Sequence, residues 1–274
     1  MKRKGLLFSG LIASLFLLTA VISNPSSAEK ESLILNIMLS VMDQIHFEPK
    51  DLDDDFSKQA FDRYLNNLDG AKRYLIQSEV DQLKAYQYKL DDEAEDRSLT
   101  FFDLSMDLID QGMARSKKIY EDLMTGSFDI KKKEDLELDG EKRGFAKDED
   151  ALRDYWRKYI KYQIILKAER KITEQANYKE GVEKQSEAEI VAAATKETKK
   201  LFDDWFDRIS RLRRSDRFEA YLNAYTHIFD PHSSYLSPKD KADFDMDMGG
   251  RLEGIGARLV QNGDFVKISS LIPS

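Results

Sequence analysis

Proline is absent from the chain between Pro49 and Pro231, and this absence is the strongest constraint on its fold. A proline inside a helix removes a backbone hydrogen bond and clashes with the preceding turn, so its absence permits long helices. Apolar residues in the same interval recur at the spacing of an amphipathic helix, as Phe61, Tyr64 and Leu68 do. The sequence therefore predicts a mainly α, multi-helix fold.

The predicted helical domain spans residues 29–228 and contains seven helices, bounded by caps and glycines. Ser78 and Ser215 are predicted to cap two of them, because small hydroxyl side chains often begin helices. Residues 127–146 are charged and contain two glycines, which predicts a loop with a small hairpin. The predicted helices cover residues 34–45, a segment ending near 69–70, residues 80–90, 99–124, 148–178 and 188–212, and a last segment from 215 to about 228.

The first 28 residues have the pattern of a secretion signal. Lys2, Arg3 and Lys4 precede an apolar run over residues 6–22, and the small residues that a signal peptidase needs end at Ala28. An uncleaved membrane anchor is the alternative, but the run is short against the ~20 residues of a membrane span. We expect cleavage after Ala28 and no stable membrane anchor afterwards. We also expect export to a bacterial periplasm, which is consistent with a chain without cysteine.

The formal net charge of the chain is −8, and it becomes −11 when the signal takes away three basic residues and no acidic one. An acidic protein is repelled by nucleic acid and by anionic lipid, so neither is expected as a partner. Two short basic runs, at residues 131–133 and 211–214, depart from this balance. We interpret them as solvated helix ends, with partner docking as the alternative.

No metal site, cofactor or catalytic residue is predicted. The three histidines lack the spacing of metal ligands, since Pro231 separates His227 from His232. The acidic run at 51–55 fails as a calcium loop because its sixth position would be Phe56 instead of glycine. No serine lies in a recognisable nucleophile motif such as Gly-x-Ser-x-Gly.

Residues 229–248 have the pattern of a linker with a rigid turn at its start. Asp230 precedes Pro231, which favours extended backbone at the aspartate and fixes φ at the proline. We expect Asp230 and His232 to bond the neighbouring backbone and hold this turn. Ser237 and Pro238 repeat the device and close the segment.

Residues 249–274 change to a β pattern. Gly254 and Gly256 lack Cβ atoms, so the backbone there can turn sharply or approach a ligand closely. Two short apolar strands follow, at residues 257–260 and 265–268, with Asn-Gly-Asp between them. Asn-Gly between apolar runs predicts a β-hairpin. A plain tight turn at Gly254 and Gly256 is the alternative to a ligand-binding loop.

Two motifs give this chain a resemblance to a known family. Asp-Pro-His-Ser-Ser-Tyr-Leu-Ser-Pro at 230–238, followed by Leu-Glu-Gly-Ile-Gly-Ala at 252–257, resembles the junction of helical and PDZ domains in carboxy-terminal processing proteases. Residues 63–69, 72–75 and 78–80 resemble the early helices of the tail-specific protease branch. The resemblance implies that residues 249–274 are the first strands of an incomplete PDZ domain.

The resemblance also implies a peptide-binding site near the C-terminus of the chain. Amides of Ile255, Gly256 and Ala257 would hold the terminal carboxylate of a peptide, and the strand that starts at Ala257 would pair with its backbone. Leu252 or Ile255 would line the pocket for the last apolar side chain, and Gly254 would let the backbone turn. The serine nucleophile and lysine base of such proteases lie beyond the start of the PDZ domain, so this chain alone is expected to be inactive.

By this resemblance the chain is the substrate-holding and C-terminus-recognising part of a periplasmic serine endopeptidase. Its expected partners are unstructured protein C-termini and an adaptor protein that the helical domain would bind. The alternative is a secreted helical binding or chaperone-like module without a catalytic role.

Overall fold

The computed structural model describes residues 26–177, 184–249, 255–262 and 265–272. The chain divides into two compact units, Met1–Ser233 and Ser234–Ser274. The described part of the first unit is helical, and the described part of the second unit contains one helix and a two-stranded antiparallel sheet. The prediction of a mainly α fold followed by a short β segment is confirmed. The described residues begin at position 26, so residues 1–25 of the predicted signal segment, residues 1–28, lie outside them.

Eight helices occupy the described part of the first unit. They are α1 Ser27–Ile45, α2 Asp54–Asp69, α3 Gln77–Lys84, α4 Leu90–Glu95, α5 Thr100–Leu123, α6 Glu149–Ala176, α7 Glu187–Ser210 and α8 Arg214–Phe229. The second unit has α9 Pro238–Gly249, β1 Ala257–Asn262 and β2 Phe265–Leu271.

Two predicted N-caps are wrong, for a common reason. Neither Ser78 nor Ser215 is an N-cap: α3 begins one residue before Ser78, and α8 begins at Arg214. In each case the N-cap lies earlier, at Ile76 or Arg213, and the carboxylate of the residue three positions after it accepts from its backbone N–H. Glu79 Oε2 accepts from the Ile76 N–H at 2.9 Å, and Asp216 Oδ2 accepts from the Arg213 N–H at 3.0 Å. A carboxylate also suits the positive end of the helix dipole.

Two further predictions, of one helix and one hairpin, also differ from the structure. The helix predicted over 80–90 ends at Lys84, and a separate short helix, α4, follows it. The hairpin predicted within 127–146 does not form: no strand occurs in that described segment, and Ala146 instead makes an isolated parallel bridge with Ile76.

The core of the first unit contains two groups of aromatic side chains, and α5 contributes to both. In the first aromatic cluster Phe102 stacks on Tyr221 with centroids 5.0 Å apart. In the second aromatic cluster Tyr120 stacks on Phe206 at 5.4 Å, and Trp156 lies 5.6 Å from the same ring. Helix α5 is about 36 Å long, so its two ends can contribute to two separate aromatic clusters.

Asp69 organises the connection from α2 to α3. Its carboxylate is buried and accepts three backbone N–H bonds, from Arg73 at 2.8 Å, Tyr74 at 3.0 Å and Leu75 at 2.8 Å. Lys72, inside this turn, has a left-handed backbone with φ of 50°. The carboxylate therefore takes the place of a missing secondary structure for these three amides.

The carbonyls of the same turn bind the longer helices. Arg73 O accepts from Trp156 Nε1 and from Ser116 Oγ, both at 2.9 Å. Tyr74 O accepts from Arg115 at 2.6 Å, and a Cβ added at Gly112 would lie 2.9 Å from this oxygen. Helix α5 can approach the turn this closely because residue 112 is glycine.

The second unit is a short helix followed by a hairpin with exposed faces. All of helix α9 except its last residue, Gly249, lies within the segment predicted as a linker. The helix begins at Pro238, where proline suits a first helical position. Strands β1 and β2 pair antiparallel from Ala257–Leu271 to Asn262–Phe265, which confirms the predicted strand pair. The apolar side chains on both strands from Leu259 onward are at least half exposed.

We predict that the stabilising effect of Asp69 depends on pH. Burial raises the pKa of its carboxyl from 3.8 to about 6, against the effect of its backbone hydrogen bonds. The folded state thus keeps a proton that the unfolded chain loses near pH 3.8. The contribution of this carboxyl to the free energy of unfolding is complete below pH 3.8, and it falls by about 3 kcal/mol as the pH rises through 6.

Urea denaturation at pH 4, 5, 6 and 7 of the wild type and an Asp69→Asn variant measures this effect. The stability advantage of the wild type over the variant should decrease with pH, whereas the exposed Asp204→Asn variant should show no such trend. An advantage that grows with pH would mean that the hydrogen bonds outweigh burial and that the raised pKa is wrong.

Candidate peptide-binding strand and linker turn

The turn after α8 is built by Asp230. This residue has extended backbone, φ −161° and ψ 135°, as expected before a proline. Its Oδ1 accepts from the His232 N–H at 3.1 Å, and its carbonyl accepts from the Ser233 N–H at 3.0 Å. Pro231 and His232 are exposed at the tip. The turn is closed by backbone groups and one carboxylate, and the imidazole is left facing solvent.

Ser237 organises the start of α9. Its hydroxyl accepts from the Asp240 N–H at 3.2 Å and also bonds the Asp240 carboxylate. A serine followed by a proline and a carboxylate three residues on is a strong helix-start arrangement. The second proline device of the linker thus begins a helix.

Gly256 has the special backbone that its position in the motif suggested. Its φ is +65°, a left-handed conformation that L-residues with a side chain rarely adopt. Its carbonyl accepts from the Ile272 N–H at 2.8 Å, which extends the hairpin pairing by one step beyond Ala257. An alanine Cβ at this position would meet no atom closer than 4.0 Å, so the glycine is required by conformation and not by space.

The predicted peptide-binding residues fall into two groups. Leu252 and Gly254 lie outside the described residues. Ile255, Gly256 and Ala257 lie directly at the start of β1, and the Ile255 side chain is 75% exposed. Strand β1 pairs on one side with β2, and its other edge has no strand partner within the described chain. An edge of this kind can accept an added strand, and an exposed apolar side chain beside it can contact the strand's end.

The other predicted features have simpler roles. His46 Nδ1 bonds the backbone of Glu48, and no group of three or more potential metal ligands occurs in the described chain. No described helix is both long and apolar enough to cross a bilayer.

The early motif around residues 63–80 supplies the Asp69 turn and the Glu79–Arg115 ion pair, whose closest atoms lie 2.7 Å apart. That motif is therefore structural.

Sequence reasoning missed one charged cluster centred on Glu134. Its carboxylate accepts from Arg157 at 2.6 and 3.0 Å and from Lys161 at 2.8 Å, and Lys132 lies 3.1 Å away. These hydrogen bonds, those from Arg157 first, hold the pKa of Glu134 far below its usual range. The available signal was the spacing of Arg157 and Lys161, because residues four apart share one face of a helix.

Comparison with known proteins agrees with the motifs. The family model described as the tail specific protease N-terminal domain matches residues 38–239. The tail-specific protease of Haemophilus influenzae is 31% identical over 256 residues, which cover 92% of this chain and 34% of that protein. The chain thus spans about a third of the length of this curated relative. The resemblance seen in the motifs is confirmed, and the chain belongs to the tail-specific protease family.

Proposed function

We propose that this chain holds protein substrates and recognises their C-termini for a periplasmic tail-specific serine endopeptidase. Membership of the family supports a role in proteolysis and protein substrates. The finer assignment depends on one observation: the left-handed Gly256 stands at the start of β1, whose second edge has no strand partner among the described residues. The helical unit would hold the substrate and bind an adaptor, and the catalytic serine and lysine would come from elsewhere in the full-length protein.

The chemistry of capture uses main-chain groups. A peptide added along β1 would exchange hydrogen bonds with the strand backbone, which gives affinity without reading each side chain. At the start of β1, amides of Ile255, Gly256 and Ala257 would donate to the terminal carboxylate of the peptide. The exposed Ile255 would contact the last apolar side chain. This arrangement favours apolar C-termini over internal segments, because an internal segment has no carboxylate there.

We predict that Gly256→Ala weakens capture of such peptides. The left-handed conformation costs about 1–2 kcal/mol for a residue with a Cβ, which corresponds to a loss of about 5- to 30-fold in affinity. The measurement is fluorescence anisotropy with the full-length protein and labelled peptides that end in apolar residues, each with a free or an amidated C-terminus. Gly249→Ala, at an open position of the same unit, is the control and should bind as the wild type does.

Equal binding of free and amidated peptides would rule out carboxylate capture. Together with an absence of peptide cleavage, that result would favour the alternative of a helical binding module. Loss of the helical circular dichroism signal in Gly256→Ala would show a structural role for the glycine instead.

We also predict that the exported protein begins at Glu29. Cleavage after Ala28 removes Ser26, whose hydroxyl accepts from the Glu29 N–H at 3.2 Å while Glu29 accepts from the Ser26 N–H at 2.5 Å. Helix α1 would then begin without this cap, at a cost of about 1 kcal/mol. Intact-mass spectrometry of the periplasmic fraction measures the start. A protein that keeps residues 1–28 and sediments with membranes would support the uncleaved anchor.

A further inference from the structure

A cavity of about 430 Å³ lies between the loop at residues 130–136 and one face of α6. We call it the lysine pocket, because five lysines line it in a protein whose net charge is −8. These lysines are Lys131, Lys132, Lys133, Lys158 and Lys161. The first three come from the loop and the other two from the helix, so cations face the cavity from two walls.

The carboxylate of Glu134, which already accepts from Arg157 and Lys161, also lines the cavity, and the rest of the lining is apolar. Ile130 and Leu136 come from the loop, and Tyr162 and Ile165 come from α6. All four keep some exposure to solvent. A ligand that fits the lysine pocket therefore has to offer an apolar group together with negative charge.

The pocket has an excess of positive charge that its own ion pairs leave in place. Four lysines of the pocket and the neighbouring Arg157 share only three carboxylates, those of Glu134, Asp154 and Glu187. The four lysines are Lys131, Lys132, Lys158 and Lys161. Lys133 has no ion pair within the described chain. The Lys131–Glu187 pair is 3.4 Å long, with both side chains more than 60% exposed, so a ligand carboxylate can replace it at little cost.

Lys161 is the anchor of the lysine pocket. Its side chain is only 7% exposed, and its ammonium donates to Lys132 O at 2.5 Å and to Glu134 Oε2 at 2.8 Å. An ammonium has three N–H donors, and the third has no partner among the described residues. The Lys161 side chain also lines the cavity, so a ligand carboxylate there can approach its ammonium and form a charge-assisted hydrogen bond.

We propose that the lysine pocket binds an acidic segment of a partner protein, in which at least two carboxylates flank an apolar side chain. The lysines lie on two walls, so one carboxylate cannot reach all of them. The apolar lining selects against an ion without a side chain. A nucleic acid is disfavoured because the acidic remainder of the protein repels a long polyanion. The proposal does not depend on recognition of C-termini, because it concerns the helical unit alone.

Binding of designed peptides tests the proposal. The probe is a fluorescent ten-residue peptide with the central sequence Glu-Phe-Glu, acetylated and amidated so that no terminal charge contributes. It should bind the full chain at 50 mM salt and weaken about tenfold or more at 500 mM. Peptides with Gln-Phe-Gln and with Glu-Ala-Glu should both bind at least about tenfold more weakly, since each lacks one of the two required groups.

A matched pair of variants locates the site. Lys133→Glu with Lys158→Glu reverses one charge on each wall and should weaken the Glu-Phe-Glu peptide by about tenfold or more. Lys118→Glu with Lys200→Glu makes the same change in net charge at exposed positions outside the pocket and should leave binding within about twofold. Circular dichroism checks that both variants stay folded.

Three results would overturn the proposal. The first is equal binding of the Glu-Phe-Glu and Gln-Phe-Gln peptides. The second is equal loss in the two double variants, which would show only long-range repulsion. The third is tighter binding, abolished by the pocket variant, of anionic phospholipid vesicles or of a peptide whose sole charge is a free C-terminal carboxylate, which would assign the pocket to a different ligand.

Discussion

The buried carboxylate of Asp69 is the interaction on which the first unit depends most. It fixes three consecutive amides, from Arg73 to Leu75, in a turn that has no helix or strand to hold them. Because the amides are fixed, the carbonyls of Arg73 and Tyr74 face outward at set positions and receive donors from α5 and α6. A single side chain thus sets how two long helices approach the turn, and these helices supply Tyr120 and Trp156 to the second aromatic cluster.

The sequence predicted those elements whose signal is local. Periodicity located the long helices, since each buries one continuous face, and Asn-Gly located the hairpin. Prediction from the sequence failed where two local signals competed. Ser78 and Ser215 looked like caps, but Glu79 and Asp216 reach back to earlier amides and start each helix sooner. Helix α9 was missed because Pro238 was interpreted as the end of a turn, although proline equally suits the first position of a helix.

The candidate sites differ in the same way. Gly256 could be singled out from its motif, and its φ of +65° is a property of that one residue. The Glu134 cluster could not, because Lys132 and Glu134 are separated from Lys161 by 27 or more positions and meet only when the loop packs on α6. The run of three lysines was visible in the sequence, but only the structure shows that Lys158 and Lys161 of α6 line the same cavity.

The two proposed binding surfaces, one in each unit, rely on different physical interactions. At β1 the available groups are backbone amides and carbonyls, whose hydrogen bonds depend on geometry and little on salt. In the lysine pocket the available groups are ammonium ions, partly exposed, whose attraction is screened over about 8 Å at physiological ionic strength. A protein that engaged both would therefore lose its hold on the helical unit first as salt rises, while its strand stayed paired. Ionic strength is thus the variable that separates the contribution of one unit from that of the other.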